Sequence, residues 1–233
     1  MRHADARFGG ETRGGCVRYC LGMPNLTVDA TDVAAIVRER TMDAHRSAES
    51  KPFITALMKG ELDLAAYTRY LAQLAWIYEA LESRPAQPND PAIIDAHSLD
   101  RFAAMESDLA ALGSPAWRTE LPALPATAAY AEHLRAIAPD DLPRYLAHHY
   151  TRYLGDLSGG QAIARLVARH YDATPEQLSF FRFTEIADIV HYKRAYRENL
   201  NALGFDAAQV DAFVTEADAA FDFNSAVFDA LDG

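Results

Sequence analysis

The run Tyr150-Thr-Arg-Tyr-Leu-Gly-Asp-Leu-Ser-Gly-Gly-Gln161 sets Gly155, Gly159 and Gly160 inside a strongly helical pattern. Each glycine in a helix interior costs about 1 kcal/mol relative to alanine, so roughly 3 kcal/mol must be offset by something else. Two explanations fit the residue types equally. One is close helix packing, since Gly155 and Gly159 share a face at i, i+4. The other is a bent helix whose bare backbone lets a flat ligand lie against it. Arg152 and Asp156 share a face with Gly159 and Gly160. As a surface pair they would contribute a few tenths of a kcal/mol, and they run in the weaker Arg-then-Asp order. Beside a glycine kink, the carboxylate is instead placed to organise water or a polar ligand. His45 lies in line with Val37 and Thr41 at the edge of an apolar stripe, with Glu49 one turn further on. A lone histidine there is more often a hydrogen-bonded core residue. A cofactor metal that needs a single protein imidazole would nonetheless be served by it, with a carboxylate to orient the ring. Lys193 and Arg197 form an i, i+4 basic pair in an acidic chain, and Arg38 stands two turns before His45. They are solvated faces or cations set for the carboxylates of a ligand. Asn224 falls between Phe221 and Phe228 on an apolar face, where a buried amide needs hydrogen-bond partners.

The elements that must position these residues read as helices almost throughout. Val33, Ile36, Val37, Thr41, Ala44 and Ala48 form one stripe opening after Asp29 or Thr31. Leu64, Tyr67, Leu71, Leu74, Tyr78 and Leu81 form a second, with Asp63 as N-cap. The proline-rich stretch 85–91 is a loop. Ser98 is placed to cap a helix carrying Leu99, Phe102 and Leu109, stopped by Gly113. Further helices are expected from about Thr127 to Pro139, from about Leu142 to Tyr171, over 185–203 with Gly204 as the stop, and after Asp206, which with Gln209 resembles a capping box. No stretch alternates with period two and no internal repeat is present. The expected fold is all-α, one multi-helix bundle over residues 25–233.

Residues 1–24 read differently. They are glycine-rich, carry Arg2, Arg7, Arg13 and Arg18, and lack helical periodicity, so a disordered extension is expected. A start at Met23 would remove it. Both cysteines of the chain, Cys16 and Cys20, fall there, which excludes a disulfide framework or a cysteine-rich metal site in the presumed core. The net charge is −11, and the cationic first segment leaves the remainder more acidic still. Nucleic acid and anionic membrane surfaces are poor partners for such a domain. No apolar run reaches the roughly 18–20 residues of a membrane span, and no signal-peptide pattern opens the chain. A cytoplasmic monomer is the expectation.

The run 150–161 resembles the signature of the biliverdin-producing haem oxygenase family. The segment Arg38–Glu82 with Thr41-x-x-x-His45-x-x-x-Glu49, the motif Lys193-x-x-Tyr196-Arg197, and Phe221-x-x-Asn224-x-x-x-Phe228 are similar to the family as well. The resemblance spans about Thr31 to Leu231. It implies haem b as cofactor and substrate, dioxygen as co-substrate, and electrons from an external donor such as a ferredoxin, a flavodoxin or a reductase. The implied products are biliverdin, carbon monoxide and ferrous iron. By the same resemblance, His45 is the metal ligand, hydrogen-bonded to Glu49. Gly155, Gly159 and Gly160 line a kinked distal helix. Asp156 anchors a polar network with Tyr78, Tyr130, Arg152 and Asn224. Arg38, Tyr150, Lys193 and Arg197 hold the propionates, and Phe221 and Phe228 pack on the haem. Met42 departs from the pattern, standing where many relatives carry a second base near a propionate. Two rivals remain: a haem carrier or sensor of the same fold without turnover, and a di-iron bundle. The second would want paired Glu-x-x-His motifs, and none of the eight histidines has a glutamate three residues before it.

Overall fold

The computed structural model describes residues 32–94 and 97–233; the expected extension over 1–24, with Cys16 and Cys20, lies outside them. The described secondary structure is entirely helical. The first stripe makes two helices, α1 (Val33–Arg40) and α2 (Met42–Glu49). Asp32 is the N-cap, accepting from the Ala35 amide at 2.9 Å. The interruption falls at Thr41, whose hydroxyl donates back to the Val37 carbonyl at 2.8 Å. Such a back-bond competes with the helical ladder and bends it. It turns the stripe just before His45.

Helix α3 (Pro52–Lys59) starts on a proline and stops at Gly60, which takes a left-handed φ of 76°. The turn suits glycine twice over. A Cβ there would also meet the His170 ring at 2.7 Å. Helix α4 (Leu64–Glu82), capped by Asp63 at 2.7 Å, runs through the middle of the core. Its Tyr67, Leu71, Ala75, Ile77 and Tyr78 are fully buried. At its end the Glu82 carboxylate accepts from the amides of Arg101 (2.7 Å) and Phe102 (3.1 Å). It thereby caps α5 (Phe102–Ala111) from another helix, Arg101 making no side-chain cap of its own. A short turn, α6 (Trp117–Glu120), leads to α7 (Pro125–Ala136).

Helix α8 (Leu142–Gly155) passes through a π-helical turn, Asp156–Gly160, into α9 (Gln161–Tyr171). The expected helix 142–171 is thus present, with its kink at the glycines. Helix α10 (Ile189–Asn201) starts later than the expected residue 185, at the Asp188 cap. The segment before it is held instead by Asp108, which accepts from the amides of Ser179 (2.9 Å) and Phe180 (2.8 Å). Helix α11 (Ala207–Asp232) opens with the Asp206–Gln209 capping box. It packs on α8, α2, α3, α7 and α1, while α4 packs on α5 and α7. One helix therefore buttresses both the segment carrying His45 and the helix that leads into the glycine kink.

Candidate functional site

The kink resolves the two readings of the glycines. A Cβ built on Gly155 or on Gly159 would meet nothing within 4 Å, whereas on Gly160 it would lie 3.2 Å from Phe181. Helix packing therefore accounts for Gly160 alone. Gly160 turns into the core, not onto the open face assigned to it from the sequence. Gly155 and Gly159 present bare, exposed backbone to open space. The π-turn admits one extra residue per turn and bends the axis there.

Behind that backbone lies a buried polar cluster drawn from four helices and the turn. The Tyr78 hydroxyl of α4 donates to the Asp156 carboxylate. Arg152 Nη1 donates to Asn224 Oδ1 of α11 at 3.0 Å. The Arg152 guanidinium lies 5.5 Å from the Tyr78 ring centroid and faces the hydroxyls of Tyr78 and of Tyr130 on α7. Asp156 is 8% exposed, so it is not the surface half of an Arg152 pair. Burial raises its pKa to about 6, outweighing the Arg152 charge and the Tyr78 hydrogen bond that favour the anion. Burial likewise pushes the Tyr130 phenol up to about 12. Both hydroxyls therefore stay protonated donors near neutral pH. The Nε of Arg152 is buried without a hydrogen-bond partner among the described residues.

On α2, the His45 side chain is 51% exposed. Its Nε2 stands 3.6 Å from Glu49 Oε1, beyond hydrogen-bond reach. The hydrogen bond expected between them is absent because both side chains reach into solvent. The Phe221 ring of α11 meets the His45 ring edge-on at 5.2 Å. Phe228 does not join it. It is 4% exposed and packs on Phe53 and Tyr70, with ring centroids 6.4 and 5.7 Å away. Seven residues carry it about 10.5 Å further along the helix axis, past α2 and against α3 and α4. Lys193 Nζ donates to Ser158 Oγ at 3.0 Å, which brings this cation to the kink, and Arg197 Nη1 donates to the Lys193 carbonyl at 3.3 Å. Tyr150 is partly buried against Tyr196 and Phe213. Arg38 is exposed at the end of α1 and Met42 at the start of α2. His149 of α8 is buried, with Nδ1 2.7 Å from the Tyr196 hydroxyl. Burial drives its pKa down to about 3.

Residues 31–230 match the family model for heme oxygenase. This chain belongs to the haem oxygenase family. It is 36% identical over 206 residues to heme oxygenase 1 of Gallus gallus, covering 86% of this chain and 70% of that one. It is 32% identical over 208 residues to heme oxygenase 1 of Nostoc sp., covering 88% and 87%. The structure of Synechocystis heme oxygenase-1 in complex with heme superposes with a TM-score of 0.79 at 33% identity, covering 87% of this chain and 93% of that one. The heme oxygenase of Leptospira interrogans superposes equally well, with a TM-score of 0.79 at 31% identity. Haem oxygenase relatives thus share this bundle over nearly its whole described length. Sequence reasoning passed over three residues behind the polar cluster: His133, His148 and Glu216. Nothing in their local spacing joins them, since they come from three separate helices.

Proposed function

We propose that this chain cleaves haem oxidatively, with dioxygen and reducing equivalents, to biliverdin, carbon monoxide and ferrous iron. The observation that carries the proposal is bare backbone at Gly155 and Gly159 beside a buried carboxylate cluster. A flat macrocycle can approach there, because neither glycine carries a Cβ and the space beside each is open. The half-exposed His45 imidazole, the Phe221 ring against it and the unpartnered Arg152 Nε fit the same ligand.

Haem supplies the redox-active iron and the ring that is opened; the protein supplies position and protons. His45 would hold the haem iron, with the Glu49 carboxylate 3.6 Å away to polarise its ring. Phe221, edge-on to the His45 ring, would pack on the porphyrin. Lys193 and Arg197, with Arg38 and Tyr150, hold the propionates and fix the rotation of the ring. Gly155 and Gly159 keep side chains away from the reacting edge. Asp156 is held by Tyr78 through Oδ2, leaving Oδ1 to accept from water. Arg152, pinned by Asn224, steadies the charge of that carboxylate. With its pKa near 6, Asp156 can hold and release a proton close to neutral pH.

Electrons come from a ferredoxin, a flavodoxin or a reductase, for which the acidic surface favours a basic docking face. The catalytic domain is assigned to residues 25–233. The protein acts as a monomer in the cytoplasm; no helix among the described residues is long and apolar enough to cross a membrane. Aerobic incubation of the haem complex with a reductant tests the proposal. Loss of the Soret band with release of biliverdin and carbon monoxide is expected. A Soret band that persists under reduction and air would leave a carrier or sensor.

A further inference from the structure

Behind the polar cluster, the facing sides of three helices place two imidazoles and a carboxylate together. His133 of α7 and His148 of α8 both direct Nε2 at Glu216 Oε1 of α11. The His148 contact is 2.8 Å, and the three ligand atoms lie within 4.8 Å of one another. An ion bonded to all three at about 2.1 Å needs them roughly 3–3.5 Å apart, so small side-chain rotations suffice. Glu216 Oε2 is turned towards Arg144 Nε, 3.8 Å away. That arginine side chain is 55% exposed and also paired with Asp141 at 3.5 Å, a partner that can keep it if Glu216 turns to an ion.

We propose that His133, His148 and Glu216 form a second, non-haem site for a divalent first-row transition ion. Two neutral imidazoles and one carboxylate are the donor set for ferrous iron or zinc, not for calcium or magnesium. His148 is fully enclosed, whereas the His133 side chain is 35% exposed and gives the ion a way in and out. Remaining coordination positions go to water on that side.

The site touches the haem-side network through one ring. His148 Nδ1 lies 3.1 Å from the Tyr130 hydroxyl, which the donor-only Arg152 guanidinium also faces. Without an ion, Tyr130 donates to Nδ1, and Nε2–H donates to Glu216. An ion on Nε2 forces the proton onto Nδ1, which must then donate to Tyr130. Occupancy reverses that hydrogen bond. Since ring opening releases ferrous iron, the site can receive the product ion. That last assignment alone rests on the proposed function; binding of the ion does not.

The test is anaerobic titration of the haem-free full chain with Fe²⁺, and separately with Zn²⁺ and Co²⁺. One ion per chain should bind. His133→Asn and Glu216→Gln should each weaken affinity at least tenfold, while a Cys16→Ser/Cys20→Ser variant keeps it. Zn²⁺ should switch the ¹⁵N NMR pattern of His148 from the Nε2–H to the Nδ1–H tautomer. Affinity that survives both site variants, or an unchanged His148 tautomer at saturating Zn²⁺, would reduce the trio to a hydrogen-bonded cluster. Ion binding without haem turnover would overturn the enzymatic reading and leave the site. Turnover without ion binding would do the reverse.

Discussion

Replacing Asp156 separates a carboxylate that works from one that merely fills space. If it were half of an exposed pair, Asp156→Ala would change stability by a few tenths of a kcal/mol and leave chemistry intact. The structure sets different stakes. Asp156 is buried and accepts the Tyr78 hydroxyl, so alanine strands a buried donor at a cost of about 1–3 kcal/mol. Asp156→Asn keeps an acceptor for Tyr78 and avoids that loss. The pH dependence gives a second handle. Raised from 3.8 to about 6 by burial, Asp156 binds its proton more tightly when folded. The folded state therefore holds more protons than the unfolded one between these values, and stability falls as pH rises from about 4 to about 6. The ceiling on that fall is about 3 kcal/mol. Asp156→Asn should lack this slope in urea titrations at pH 4 and pH 7. Haem affinity should stay within a few-fold of the parent, because the residues proposed to hold the iron and the propionates are untouched. Biliverdin formation should drop at least tenfold in the alanine variant and less in the asparagine one. In the parent, turnover should decline below pH 6 as the carboxylate protonates. Biliverdin at the parental rate from Asp156→Ala, with an unaltered pH profile, would refute the reasoning.

Other perturbations probe the remaining parts. Gly155→Ala and Gly159→Ala should each raise stability by about 0.5–1 kcal/mol through helix propensity, since no neighbour is met. Gly159→Leu should cut haem affinity at least tenfold; parental affinity on haem titration would show that the open face is not the haem face. His45→Ala should lose turnover more than haem uptake, with added imidazole restoring part of the rate; an unchanged spectrum without imidazole would mean another ligand. Gly60→Ala should destabilise by about 1–3 kcal/mol, from strain at positive φ and contact with His170, read as a lower thermal midpoint. Deleting residues 1–23 should leave haem affinity and turnover nearly unchanged, because every proposed site residue lies at or beyond Arg38; a large loss would place that segment in the site.

What could be read from the chain followed from how locally each feature is encoded. The stripes and the Asp63 and Asp206 caps are written within four residues, and they place the starts of α4 and α11, while the expected run 142–171 is divided into α8, the π-turn and α9. The start of α5 was misplaced because its cap, Glu82, lies on another helix. The segment 174–188 has no period to read, since Asp108 fixes its backbone from across the bundle and Phe180, Phe181 and Phe183 fill the gap. The polar cluster was found only through the family signature. Spacing put Arg152 and Asp156 on one face, but their real partners, Asn224 and Tyr78, are brought by tertiary packing. The same limit explains Phe221 and Phe228. A seven-residue spacing keeps them on one side of α11, yet that side meets α2 at one level and α3 with α4 at the next. A helix face is legible in sequence; the neighbour it meets at each turn is set by the whole bundle. For that reason the run of three glycines reads alike in sequence, and only the packed bundle separates Gly155 and Gly159, where a Cβ would meet nothing, from Gly160, where it would meet Phe181.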